Sequence, residues 1–408
     1  MLDHLKRNSL SILILALVAG AYTWATWQYF TKPIPGGNDF LTHYGAWEAN
    51  FKFGYSPYSD EAAIYTQKAI YGRMARPGED QNRMAYPYYS ILVHGPFVLL
   101  ANYALARAIY MTLLQAALFA GVILMLDVLH WRPRGWLLAL LLIWSLLYYP
   151  EARGVILGQF AIFGFFSLAA ALYLLQRQRD ALAGVILTLS TIKPTLVFMV
   201  VPFLLLWGIA RRRTHFWGAF LITMAILCLG SILALPTWLS EWMFRIRAYS
   251  DYTVGQSPVW LLTHMAIPGL GAGGEIFFSS LLGLAMLVAW WLALRPGGED
   301  WFHWALGVTL VVSNLIVPRS ATTNYVLMLV TALWVFAALD RTPGWGRPVL
   351  LLTWLVSLVG LWWLHIATVV GNQEQPFMFI PMPVVLGLVL LLGYRWLRHD
   401  ARRCKLAL

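Results

Sequence analysis

The stretch "SLSILILALVAGAYTWATWQYF", residues 9–30, carries no charged side chain, and "TKPIPGGNDFLTHY", residues 31–44, follows it directly. A helix over 9–30 is long enough to cross a hydrocarbon core of about 30 Å. The stretch after it holds two prolines and two glycines and then Asp39, the first carboxylate beyond the span. An acidic side chain is thus delivered to the membrane surface where the first span ends.

The rest of the chain has the same character. Its 408 residues are 60% hydrophobic and 12% charged, with a mean hydropathy of +0.66. Several further apolar runs approach the length of a span. This composition reads as an all-α polytopic membrane protein, because a barrel would show short alternating strands instead. The 21 Trp and 19 Tyr suit two interfacial belts. The two cysteines, Cys228 and Cys404, fall in a span and in the C-terminal tail, so no disulfide is expected. No small-residue cleavage site follows the first span, which reads as retained.

The periodicity and length of the apolar runs predict about 12 transmembrane helices, at roughly 9–30, 103–129, 136–150, 156–176, 181–193, 195–210, 215–236, 276–294, 301–318, 322–340, 348–370 and 380–397. Pro194 divides the pair at 181–210, since proline disfavours a continuous helix. With the N-terminus inside, the inner segments hold 17 of the 29 cations and 7 of the 18 acids, so they net +10 against +1 outside. That is the positive-inside pattern, and it places both termini in the cytoplasm. The net charge of +11 therefore reports orientation and contact with anionic membrane lipids, and no nucleic-acid partner is expected. No internal repeat is evident, and residues 1–408 read as one integral domain. Two long extracytoplasmic segments stand out, 31–102 and 237–275, and the first carries amphipathic stretches expected as helices at the interface.

The candidate site residues lie on the predicted outer side. Asn38 or Asp39 reads as a helix cap for "FLTHYGAWEAN", or else Asp39 as a general base, and His43 falls four residues on from Asp39, on the same helical face. Lys193, in "TIKPTL", either snorkels or anchors a phosphate with its point charge. In "YYPEARGVILGQF", Arg153 either pairs with Glu151 or binds an anion, while Gln159 suits a hydroxyl. In "VPRSATTNY", Arg319 and Asn324 suit phosphate or sugar oxygens, and suit an ordinary turn as well. Arg245, Arg247 and Arg107 have weaker cases, as do His94 and His264. No Walker motif, zinc pattern or nucleophile elbow appears, and the short basic inner loops offer no comparable polar set.

These features together resemble glycosyltransferase family 87, the polyprenyl-phosphate-mannose-type transferases of bacterial plasma membranes, within the GT-C superfamily. The resemblance rests on the early Asp39, the aromatic–proline pair Tyr86-Pro87, the Gly158-Gln159 entering a span and the Lys193-Pro194 pair. It implies a GT-C-like bundle, Asp39 as catalytic base, and a donor sugar, mannose favoured, carried on a polyprenyl phosphate. The site would open to the outer face, with a lipid or glycan hydroxyl as acceptor. Two departures concern the choice of sugar or acceptor. Tyr88 stands after Pro87 where many members have a second proline, and Thr322, Thr323 and Asn324 stand where many carry histidine.

The chemistry agrees on separate grounds. Outside the cytoplasm there are no nucleotide sugars, so a lipid-phosphate donor is the natural one. An attacking hydroxyl needs a base. A glycosidase needs a second carboxyl group for its leaving alkoxide, whereas a phosphate leaves as a stable anion. One carboxylate then suffices for a single displacement with inversion, with Lys193, Arg153 and Arg319 offsetting the charge on the phosphate. The resemblance adds Tyr86 as a substrate-binding residue. No cofactor and no metal is expected. The competing functions are a transporter or flippase of a lipid-linked glycan, for which repeats and midplane charges would be the signature, and a ligase moving a whole glycan.

Overall fold

The structure is a computed structural model that describes residues 2–76, 79–252, 256–318, 320–371 and 374–401. Its helices are α1 (Leu2–Thr26), α2 (Asn38–Phe53), α3 (Asp60–Tyr71), α4 (Ile91–Val98), α5 (Tyr103–Val128), α6 (Gly135–Leu147) and α7 (Tyr149–Leu157). There follow α8 (Ala161–Gln176), α9 (Asp180–Leu189), α10 (Pro194–Val197), α11 (Val200–Ala210), α12 (Thr214–Ala234), α13 (Trp238–Tyr252) and α14 (Pro258–Leu261). The last are α15 (Gly271–Leu294), α16 (Phe302–Ile316), α17 (Leu329–Arg341), α18 (Gly346–Thr368), α19 (Pro381–Leu392) and α20 (Tyr394–Ala401).

Among the described residues, five helical segments are long and apolar enough to cross a membrane, or seven if two bent pairs each make one span. The all-helical, multi-pass reading stands on these. The expected count of 12 exceeds them because several predicted spans are broken or short, as at Ala161–Gln176, Asp180–Ile192 and Val200–Ala210. Proline marks two of the breaks. Pro194 begins α10 just after Lys193, whose backbone (φ −119°, ψ 84°) has left the helical region. Pro150 sits in the first turn of α7, which is bent 54° from α6. A proline ring in a helix interior clashes with the carbonyl four residues earlier, so each helix restarts at its proline.

The chain forms two compact units. The first comprises residues 1–116, 155–159 and 235–252. The segment between α1 and α5 contributes α2, α3 and α4 to it, as the amphipathic patterns in 31–102 led us to expect. Within this unit α13 fastens that segment: Arg245 donates to the Tyr58 carbonyl at 2.6 Å and pairs with Asp60 at 2.9 Å, and Trp242 donates to the Ala85 carbonyl.

The second unit comprises residues 117–154, 160–234 and 253–408. At its centre is the segment Thr322–Arg341, wholly buried, with Trp334 and Phe336 packed among its neighbours. At one end of the unit the basic loops meet in a network. Asp127 accepts from Arg132 and Arg177, Arg213 reaches Asp180, Arg211 pairs with Glu299, and Arg341 joins Asp400 to the Leu129 carbonyl. The two pairs on Asp127, whose arginines are exposed, contribute little each. Their value here is positional, because these are the loops that the charge count assigned to a single side. The opposite ends of the same helices carry Arg153, Lys193 and the turn before α17.

Candidate active site

Asp39 owes its position to a glycine and an arginine. Gly37 caps α2 with φ +73°, a left-handed conformation that glycine adopts without strain. A Cβ at Gly37 would also come within 2.8 Å of Arg107 Cδ. Arg107 is 2% exposed and donates to the carbonyls of Ile34 at 2.8 Å, Pro35 at 2.5 Å and Ile156 at 2.7 Å. Tyr103, one turn earlier on α5, donates to the carbonyls of Gly36 and Gly37. The loop is thereby tied down, and Asp39 lies in the first turn of α2, where the helix dipole favours a negative charge. The cap residue is Gly37, so neither Asn38 nor Asp39 is the cap weighed from sequence.

Four of the residues singled out from sequence meet in the first unit. Gln159 donates from its amide nitrogen to Asp39 Oδ2 at 2.8 Å. Gly158, with φ +73°, lets the chain turn against Phe40, since a Cβ there would meet that of Phe40 at 2.5 Å. His43 is buried on α2, its ring stacked 3.9 Å from that of Tyr86, with Nδ1 3.1 Å from Met84 Sδ. Burial and then the Asp39 charge push the Tyr86 phenol well above its ordinary range, so it keeps its proton. His94 lies 4.7 Å from His43 ring to ring, and burial lowers its pKa to about 4. The cluster sets the Asp39 carboxylate near the buried rings of His43, Tyr86 and His94.

The second unit holds the cations. Lys193 is buried and donates to Asn324 Oδ1 at 2.8 Å. Two residues earlier, the Thr322 hydroxyl donates to Glu374 Oε1, which also accepts from Tyr149 at 2.7 Å and pairs with Arg153, its Nε 3.2 Å away. The short 3-10 turn beginning at Thr322 therefore links Lys193 to Arg153. Between these two anchors the buried Thr323 hydroxyl has no hydrogen-bond partner among the described residues. Arg319 lies outside the described residues.

Two expectations change. The Arg153–Glu151 pair weighed from sequence does not form. Residues two apart on a helix point to different sides, and Glu151 is fully buried with no hydrogen-bond partner among the described residues. Arg107, read as a weak outer cation, is a buried tie for the loop carrying Asp39. Sequence reading passed over Glu374 altogether. Its signal was its place in the polar break "GNQEQP" between two apolar runs.

These features define a membrane protein with a carboxylate-centred cluster in one unit and a paired-cation cluster in the other. The model of glycosyltransferase family 87 matches residues 85–318, more than half of the chain. The chain belongs to that family, and it is a glycosyltransferase with a sugar donor and an acceptor. The matched segment contains Tyr86, Arg153, Gln159 and Lys193, while Asp39, His43, Asn324 and Glu374 lie outside it. No match was found among curated proteins or solved structures.

Proposed function

We propose that the protein is an inverting transferase that moves a hexose, mannose favoured, from a polyprenyl phosphate to a lipid or glycan hydroxyl on the outer face of a bacterial plasma membrane. The observation that carries this reading is the turn beginning at Thr322, which links Lys193 on one side and Arg153 on the other. Two cations and an unsatisfied hydroxyl suit the oxygens of a phosphate. An apolar groove of about 690 Å³ supports a lipid carrier. Its lining includes Tyr148 and Leu364, the chain neighbours of Tyr149 and His365. An isoprenoid chain is the occupant that suits such a lining, with its phosphate at the polar cluster.

The reaction follows from these roles. The acceptor oxygen attacks the anomeric carbon, and the bond from that carbon to the phosphate oxygen breaks. The phosphate leaves with the electron pair, steadied by Lys193, Arg153 and Arg319. Asp39 takes the hydroxyl proton, held in place by Gln159. His43, Tyr86 and Asn324 supply substrate contacts.

The test uses purified protein in lipid, a panel of short-chain polyprenyl-phosphate sugars, and a lipid extract as acceptor. Transfer of sugar with inverted configuration is the expected result. Bound lipid-linked glycan with no transfer from any donor would instead support the transporter.

A further inference from the structure

Glu374 is not in the matched family segment, yet it is the hub of the cation cluster. Its Oε1 accepts from two side chains, those of Tyr149 and Thr322, and forms an ion pair with Arg153. Tyr149 in turn accepts from Arg153 Nη1 at 3.1 Å and lies 3.0 Å from His365 Nδ1. The Arg153 guanidinium thus has two partners, the Glu374 carboxylate 3.2 Å from Nε and the Tyr149 oxygen, which accepts from Nη1. Its Nη2 has no partner among the described residues. A guanidinium is a rigid fork, so fixing two of its nitrogens fixes the direction of the third. Left to itself, an arginine side chain would lose rotamer entropy on binding an anion.

We propose that Glu374 is a positioning residue for the donor, which presents the Nη2 edge of Arg153 to a phosphate oxygen. This rests on the reading of Arg153 as a phosphate contact. The arrangement has a further consequence. Glu374 also holds Thr322 and therefore one end of the turn whose other end binds Lys193, so a single carboxylate sets the geometry of both cations.

The test compares Glu374→Gln, Glu374→Asp, Arg153→Ala and Glu374→Gln combined with Arg153→Ala. Protein in lipid nanodiscs is assayed for sugar transfer and, separately, for binding of farnesyl phosphate, a prenyl phosphate without sugar. Losing a charged hydrogen bond weakens binding roughly 10- to 100-fold. The Glu374→Gln change is expected to raise the donor KM and the farnesyl phosphate Kd by about tenfold, with kcat within about threefold of wild type. Glu374→Asp should recover part of the loss. In the Arg153→Ala background the Glu374 change should cost less than it does in wild type, the remainder being the part that acts through Thr322 and Lys193.

Three results would overturn the proposal, and they differ. Farnesyl phosphate bound by wild type, lost in Arg153→Ala and retained in Glu374→Gln would sink the positioning role alone. Equal binding by wild type and Arg153→Ala would remove Arg153 from the donor site and Glu374 with it. Failure of wild type to bind prenyl phosphate or to transfer sugar would defeat the underlying transferase reading. A loss in Glu374→Gln caused by misfolding would lower the melting temperature and depress kcat as well as binding, and that pattern too counts against a positioning role.

Discussion

The side-chain amide of Gln159 lies 2.8 Å from Asp39 Oδ2, joining residues 120 positions apart in the chain. This hydrogen bond orients one oxygen of the carboxylate proposed as the base. Replacing Gln159 by leucine removes the donor while keeping the volume. The kcat is expected to fall roughly 10- to 100-fold, the range for a hydrogen bond to a charged group, with donor KM little changed. Steady-state kinetics on both substrates measures this.

Gly37 is the second support. Alanine there would hold a left-handed conformation and press on Arg107. The cost is about 1–3 kcal/mol for the strained backbone alone. A lower melting temperature and a lower kcat are expected together, because the strain falls on the loop that carries Asp39. Thermal unfolding followed in lipid gives the first quantity, and the transfer assay gives the second.

His94 makes stability depend on pH. Its ordinary pKa of 6.5 is lowered to about 4 by burial in the folded protein. Between these values the unfolded chain binds a proton that the folded chain refuses. Stability is therefore full above about 6.5 and declines as pH falls toward 4, by an amount on the order of 3 kcal/mol. Melting temperatures measured across this range should fall on the acid side, and His94→Phe should flatten that fall.

Orientation has its own test. Glu61 is exposed on α3. A cysteine placed there by Glu61→Cys should react with a membrane-impermeant maleimide in intact cells. Labelling that needs permeabilisation would put this segment, and Asp39 with it, on the cytoplasmic side.

Much of the site was legible before the structure, for identifiable reasons. Asp39, His43, Tyr86 and Gln159 stand out because polar groups at the ends of apolar spans are costly and conspicuous. Their convergence in one unit gives spatial meaning to what the sequence showed only as separate points. Lys193 was legible for the same reason, and Pro194 does break its helix. Glu374 was not legible. It sits in a short break between two spans, and its partners Tyr149, Thr322 and Arg153 come from remote segments that no periodicity connects. Arg107 misled because a basic residue at a span end reads as interfacial, whereas here three carbonyls draw it inward. The span count of 12 goes beyond the five to seven long apolar segments because Ala161–Gln176 and Val200–Ala210 form helices of fewer than 18 residues, and apolar composition alone does not fix where a helix stops.

The most direct test of the account is transfer by Asp39→Asn. Wild type and variant are compared in lipid with a polyprenyl-phosphate sugar and a lipid acceptor, and donor binding is measured alongside. Loss of a general base is expected to reduce kcat by about 10²–10⁴-fold while the donor still binds. Equal rates from the two proteins would contradict the account and return Asp39 to a structural role at the start of α2.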